Sequence, residues 1–286
     1  MRKCIVCESD MRAGLAAWHF MCAACGYEGT TLAPRINDHA AHSAVKEADR
    51  EAGLKSLRGE NFRVILTAIA RLVRPGDKSL LDVGSAHGWF LREAAPLFTA
   101  TGIEPDEAVA AKSRLGGLAV RAGYFPSALD GDEKFDVIVF NDVIEHIPAI
   151  AEAMDACAAH LHHDGVLVLN LPSSTGFFYR LSKLLACLGW PTPFERLWQK
   201  DLPSPHVHYF SLDNLVRLAR DRRFDLLTTF ELPSVRAKGL LERMRWTGKL
   251  GGVSLWAQYL CILGALPLIR LFRSDINVAI FRCRRH

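Results

Sequence analysis

The sequence predicts an α/β domain built on a parallel sheet with helices on both faces, preceded by a small cysteine-rich ribbon. Three observations carry that expectation. Short apolar runs, among them one opening at Ser79 and those of Phe135–Phe140 and Val166–Pro172, alternate with helical stretches, as in a sheet buried on both sides. The first of these runs opens into Asp82-x-Gly84-x-Ala86-x-Gly88, a turn of small residues at the carboxyl end of a strand. Finally, Cys4-x2-Cys7 and Cys22-x2-Cys25 form two pairs separated by fourteen residues, just short of the usual spacing of a zinc ribbon.

The elements follow in order. Cys4, Cys7, Cys22 and Cys25 are expected to hold one tetrahedral zinc ion, with Gly26 relaxing the second turn and Asp10 to Phe20 supplying the strands between. Four thiolates leave no open coordination position, so the expected role is structural, and His19 is not needed as a ligand. A pair of redox dithiols, or unrelated cysteines, is the alternative. Residues 37–74 look helical: Phe62, Ile65, Leu66, Ile69 and Leu72 form an apolar stripe, which Arg74-Pro75-Gly76-Asp77 ends. A strand that opens at Ser79 and is left at about Asp82 comes next. An acid ahead of the glycines suits a ligand with a cationic amino acid end, such as S-adenosylmethionine, better than a pyrophosphate; a dinucleotide fold would supply Gly-x-Gly-x-x-Gly.

Ala100–Glu104 reads as a second strand stopped by Pro105, and its terminal acid is placed to accept ribose hydroxyls. Phe135–Phe140 is an unbroken apolar strand followed by Asn141-Asp142-Val143-Ile144-Glu145-His146. A helix from Ile150 to about Leu161 leads through an Asp164-Gly165 turn into the strand Val166–Pro172. His160, His162 and His163 are expected on the surface at that helix's end. Ser211 reads as the N-cap of a helix through Arg220, and Phe224–Phe230 and Ile276–Cys283 read as the last strands.

These motifs resemble the class I S-adenosylmethionine-dependent methyltransferases, in particular the broad small-molecule group that includes quinone-biosynthesis methyltransferases. The resemblance covers roughly residues 60 to 231 and the last ten. It implies a Rossmann-like, seven-stranded methyltransferase sheet. Its donor site would be formed by Asp82, Gly84, Ser85, Ala86, Gly88, Glu104, Asn141 and Asp142. Two departures stand out. Ala86 occupies a position where the family usually has glycine, and Gly123-Tyr124-Phe125 lies where many members place an acid near the adenine amino group. In that family the helix before the first strand covers the cofactor; simple packing on the sheet is the alternative.

On this reading residues 1–32 form the ribbon, 33–75 a helical linker or cover, and 76–286 the methyltransferase domain, with insertions at about 173–205 and 232–275. The first insertion is rich in aromatic residues, as a lid over an apolar acceptor or a self-packed cap would be. The second carries seven basic residues against two acids. Leu250–Ile269 has no charged side chain, and so is long enough in principle to span a bilayer. Gly251-Gly252, Gln258, Pro267 and the return to the sheet favour a membrane-surface patch over 236–272 instead. Packing or dimerisation is the competing reading.

The acceptor is expected to be a small or lipid-linked molecule bearing a hydroxyl, quinone-like or an envelope-glycan intermediate. His146, His206 and His208 are the candidate general bases, because imidazole titrates near neutrality. A net charge of +4 over 286 residues gives no reason to expect DNA. RNA is disfavoured because the ribbon has only Arg2, Lys3 and Arg12 as basic residues. An RNA methyltransferase and a non-catalytic binding module are the alternatives. Without an apolar leader after Met1-Arg2-Lys3, a cytoplasmic protein is expected, peripheral on the membrane if the basic patch binds lipid.

Overall fold

The computed structural model describes residues 2–35, 47–74, 76, 78–237, 240–241, 244 and 252–284; side chains of 47–57 and 252–254 lie outside that description. Three short strands open the chain: β1 (Met11–Ala13), β2 (His19–Cys22) and β3 (Glu28–Thr30). They pair antiparallel in order, and β3 pairs in turn with β9 (His208–Tyr209), a strand of the main domain.

The main sheet has seven strands. Along the chain come α1 (Glu47–Leu72), β4 (Ser79–Val83), α2 (Trp89–Ala94), β5 (Thr99–Glu104), α3 (Glu107–Leu115), β6 (Val120–Ala122) and β7 (Phe135–Asn141). Then follow α4 (Ile150–His160), β8 (Leu161–Pro172), α5 (Phe177–Cys187), α6 (Thr192–Leu197), α7 (Leu212–Asp221), β10 (Phe224–Leu232), α8 (Gly252–Ile269) and β11 (Ile276–Cys283). The order across the sheet is β10-β11-β8-β7-β4-β5-β6, with β11 antiparallel to both its neighbours. The chain order reverses between β4 and β7, so a crevice opens past their carboxyl ends.

Alternation along the buried strands builds two cores. Val137 and Val139 of β7 face the layer of α1 and α2, with Phe62, Ile65, Ile69 and Phe90. Ile138 and Phe140 face α4 and α7, with Met154, Leu215 and Leu218. Cys4, Val6, Met11 and Tyr27 of the ribbon join this second core, so the ribbon is packed onto the sheet domain.

The helix expected over 37–74 is present as Glu47–Leu72, while 37–46 lie outside the described residues. Its apolar stripe packs on the sheet. Ser211 caps α7 by accepting from the Asn214 amide at 3.3 Å.

Two local expectations are corrected. The Asp164-Gly165 turn is not a boundary: β8 already begins at Leu161, which pairs with Phe135, while Val166 pairs with Val137. Residues 162–165 therefore bulge out opposite a single partner residue, Asp136. His160 is buried rather than on the surface, its Nδ1 bound to the Glu133 carbonyl at 2.8 Å; His162 and His163 are exposed.

No helix among the described residues is long and apolar enough to cross a membrane. Part of the basic insertion, including Lys238, Arg243, Arg245 and Lys249, lies outside the described residues.

Candidate functional site

β4 ends at the centre of the crevice. Asp82 sits one residue before its end, 2% exposed, and accepts from Asn141 Nδ2 at 3.2 Å. Asn141 closes β7 and accepts in turn from Asn170 Nδ2 on β8 at 3.4 Å. A polar row thus crosses three adjacent strands inside an otherwise apolar sheet. Burial pushes the Asp82 carboxyl up to about 7; the Asn141 hydrogen bond opposes this and the nearby Glu104 charge adds to it. A buried acid with one side-chain donor is a poor resting arrangement, and a cationic ligand group would relieve it.

The turn after β4 is drawn tight against β5. The Gly84 and Ser85 amides both donate to the Ile103 carbonyl, at 2.8 and 2.9 Å. Gly84 has φ +72°, and a Cβ there would lie 2.6 Å from Val143 Cγ2, so the position needs glycine on two counts. Ala86 is also left-handed, at φ +44°, which explains why glycine is the easier residue at this point of the turn. Its amide donates to Glu104 Oε2 at 2.8 Å, and its carbonyl accepts from Ser113 Oγ at 3.0 Å. Glu104 Oε1 accepts from the Asp106 amide at 3.0 Å. Burial raises the Glu104 carboxyl, and each oxygen keeps lone pairs for a further donor such as a ribose hydroxyl. Ser85 Oγ is buried without a hydrogen-bond partner among the described residues.

Asp142, at φ +55°, leaves β7 and pairs with Arg58 of α1 at 3.1 Å. So α1 packs on the sheet through its apolar stripe and also reaches the crevice through one arginine. Next comes a 3₁₀ turn, Ile144–His146. Glu145 is 1% exposed, and neither carboxyl oxygen has a hydrogen-bond partner among the described residues. Burial, with the Asp142 charge behind it, holds this carboxyl well above the usual range. Glu145 Oε1 lies 4.0 Å from His146 Nε2 and 3.9 Å from His206 Nε2, and the two rings meet edge-on at 4.7 Å.

The three histidines named from the sequence separate here. His146 donates from Nδ1 to the Pro205 carbonyl at 2.9 Å, which leaves Nε2 as the acceptor nitrogen. His206 Nε2 is 2.9 Å from Gln199 Nε2 and accepts from it. His208 leaves the set. Its Nε2 donates to the Ile147 carbonyl at 2.9 Å and its Nδ1 accepts from the Tyr27 hydroxyl, while burial lowers the ring to about 4. It ties the ribbon to the domain.

The first insertion also differs from a simple lid. Tyr179, Phe194, Trp198 and Tyr209 form a cluster against Trp18 of the ribbon, with Trp18 and Phe194 stacked at 5.8 Å. Beside them Glu28 of β3 is buried and accepts from His19 Nε2 at 2.8 Å, Tyr179 Oη at 2.7 Å and Lys183 Nζ at 2.7 Å. His19 Nδ1 accepts from the Leu15 amide at 3.0 Å, so this ring is fully engaged away from the thiols. Tyr179, Phe194 and Trp198 of the insertion seat the ribbon.

The four thiols converge. Cys4 and Cys25 sulfurs are 3.5 Å apart, Cys7 and Cys22 3.4 Å, and all four lie within 4.8 Å of one another. These separations exceed a disulfide bond of about 2.05 Å. They are close to the roughly 3.8 Å between sulfurs that surround one ion at about 2.3 Å. Gly26, at φ +74°, turns the second pair as its position in the sequence suggested.

Sequence reasoning missed Glu145, Asn170, Arg58 and Gln199. Asn170 carried a signal, being the one polar residue in the run Val166–Leu171, and Glu145 adjoins His146; Arg58 and Gln199 are brought to the site only by the fold.

Residues 57–229, more than half of the chain, match the model of a family described as a methyltransferase domain. A ubiquinone biosynthesis O-methyltransferase of Paramagnetospirillum magneticum is 31% identical over 138 residues, covering 45% of this chain and 55% of that protein. The chain therefore spans about half the length of the curated relative it matches. Among solved structures, one chain from the complex of the Haloferax volcanii Trm112 methyltransferase activator with a methyltransferase superposes with a TM-score of 0.58. It is 12% identical, over 87% of this chain and 100% of that one. A Thermotoga maritima S-adenosylmethionine-dependent methyltransferase superposes with a TM-score of 0.53 at 16% identity, over 86% and 100% of the two chains. These structures share the fold: the seven-stranded, Rossmann-like sheet of class I methyltransferases.

Proposed function

The chain belongs to the methyltransferase-domain family, and on that premise we propose that it transfers a methyl group from S-adenosylmethionine to a hydroxyl of a small or lipid-linked acceptor. The observation that carries this reading is the buried Asp82–Asn141–Asn170 row beside the left-handed Gly84–Gly88 turn, with Glu104 at the end of the next strand. When bound, S-adenosylmethionine supplies an electrophilic methyl on a sulfonium. Asp82 would hold its ammonium end, Glu104 would accept from its ribose hydroxyls, and the backbone of Gly84 to Gly88 would line its path. Asn141 and Asp142 close the same side of the crevice. Ala86 keeps the turn open with the smallest side chain after glycine.

Methyl transfer is an in-line displacement, so the protein mainly aligns the partners and excludes water. Deprotonation of a hydroxyl acceptor falls to His146. Its Nδ1 is fixed on Pro205, so Nε2 takes the proton. His206 packs against that ring, and the Glu145 carboxyl lies 4.0 Å from the nitrogen that receives the proton.

Zinc is the ion that four converging thiolates at these separations suit, and it would be structural. It would fix the ribbon, whose β3 pairs with β9 two residues beyond His206. The quinone-like or glycan-intermediate character of the acceptor belongs to this proposal and rests on the resemblance described above.

Titration calorimetry with S-adenosylhomocysteine tests the donor site. Micromolar affinity that Asp82→Ala abolishes supports it; no binding by the folded protein would return the chain to a non-catalytic module. In a methyl-transfer assay against hydroxylated quinone analogues, His146→Gln should lower kcat by about 10²–10⁴ and leave S-adenosylhomocysteine affinity unchanged. An unaltered kcat would remove His146 as the base.

A further inference from the structure

The two insertions emerge at the same edge of the sheet as the donor crevice. α5 follows the carboxyl end of β8, and α8 returns to β11, whose start pairs with Pro172 at that end. More than half of the large hydrophobic side chains exposed among the described residues lie in these two insertions. On α5 the inner side, Tyr179 and Ser182, is buried toward the ribbon, whereas Leu181, Leu184 and Leu188 form a stripe at helical spacing on the outside. Trp190, 65% exposed, follows at its end. On α8, Trp256, Leu260 and Leu268 are exposed in the same way.

The two elements are clamped together. The Phe177 ring lies 4.9 Å from the Phe272 ring, and the Phe177 amide donates to the Arg273 carbonyl at 3.1 Å. The Phe178 and Tyr179 amides donate to the Asp275 carboxylate at 3.2 and 2.8 Å. At the joint stands Arg270-Leu271-Phe272-Arg273, all four exposed, with Leu271 at 79%. Arg180 is exposed one turn into α5. The acids at this joint, Asp275 and Glu231, accept from backbone amides of Phe178, Tyr179 and Ser274. The second insertion as a whole carries a net +5.

We propose that this joint face of α5, α8 and residues 270–273 docks on an anionic bilayer surface and presents the donor crevice to an acceptor held in the membrane. Exposed leucines and aromatic rings beside arginines suit the boundary between headgroups and acyl chains, where apolar groups enter and guanidinium groups meet phosphates. The apolar joint gives the insertion depth and the arginines give the preference for anionic lipid. The membrane location of the acceptor deepens the methyl-transfer reading and rests on it; the docking itself does not.

The test is co-sedimentation of the full chain with phosphatidylcholine vesicles, with and without phosphatidylglycerol, alongside S-adenosylhomocysteine calorimetry on every variant. The wild type should sediment with the anionic vesicles. Arg270→Ala with Arg273→Ala should weaken that binding roughly thirtyfold, at about fivefold for each basic residue near the surface. Leu271→Ser with Phe272→Ser should weaken it further, and Leu188→Ser with Trp190→Ser, at the far end of α5, should weaken it independently. Unchanged S-adenosylhomocysteine affinity shows that the variants are folded. A wild type that stays in solution with both vesicle types overturns the proposal. So does a dimer that the same substitutions dissociate without any vesicle binding, because a second copy would then cover the face. Vesicle binding without S-adenosylhomocysteine binding would instead defeat the donor site and leave the docking face standing.

Discussion

Lowering the pH from about 8 to about 6 should weaken S-adenosylhomocysteine binding about tenfold if, as proposed, the Asp82 carboxyl meets the ligand's ammonium group, because burial pushes that carboxyl up to about 7 in the free protein. Above 7 the carboxylate is already ionised and affinity is flat; below it, each pH unit demands removal of a proton and costs about a factor of ten. Glu104 faces the same crevice and is also raised by burial, so its charge acts in the same direction. The linkage has a second side. Asp82 binds its proton more tightly folded than unfolded, so the ligand-free protein loses stability as pH rises from about 4 to 7. That loss is on the order of 4 kcal/mol for a carboxyl moved from 3.8 to about 7. Calorimetry in two buffers of different ionisation enthalpy should show release of close to one proton at about pH 6 and almost none at about pH 8. Asp82→Asn should bind weakly and keep only the shallower pH dependence that Glu104 contributes. Tight binding by the wild type with the same affinity throughout that range would refute the reasoning.

Three further outcomes follow from the geometry. Glu28→Ala, which strands His19, Tyr179 and Lys183 at a buried site, should cost about 3–5 kcal/mol in urea unfolding, whereas a loss under 1 kcal/mol would show the network to be dispensable. The purified chain should carry one zinc ion. Cys22→Ser or chelation should loosen β3 from β9 and increase amide exchange at His208 and Tyr209, and unchanged exchange would uncouple the ribbon from the domain. Gly84→Ala places a Cβ 2.6 Å from Val143 at a left-handed position. It should destabilise the chain by about 1–3 kcal/mol and weaken S-adenosylhomocysteine binding, a change that thermal unfolding with and without ligand would detect.

What could be read from the sequence was local. Leu80 to Gly88 announces a buried strand and a tight turn within nine residues, Glu104 follows one strand-helix-strand unit later, and Ser211 marks its helix by an ordinary cap. Where the reading failed, the deciding contact was remote. His160 looked like a helix-end residue, but the Glu133 carbonyl, 27 positions earlier, draws it inside. The Asp164-Gly165 turn signal was real as chemistry, yet β7 pairs on both sides of it and turns it into a bulge. Tyr179, Phe194 and Trp198 of the first insertion read as part of a lid or a self-packed cap, because nothing near them in the chain reveals the ribbon's Trp18 and Glu28 as partners. Glu145 stood in plain view beside His146, but only burial makes an acid there unusual.

The pairing of β3 with β9 also dictates an order of events during synthesis. Glu28 and Gly29 meet Tyr209 and His208, so some 180 residues must be made before the ribbon's outer strand finds its partner. Until then β3 is a bare sheet edge, with Glu28 unneutralised by Lys183 and Tyr179. If the four thiols hold the proposed zinc, a ribbon already closed by it can wait in that state as a finished module, whereas an open one would offer its strand to other nascent chains. Metal supply during translation would then set the yield of assembled protein, before any catalysis is at stake.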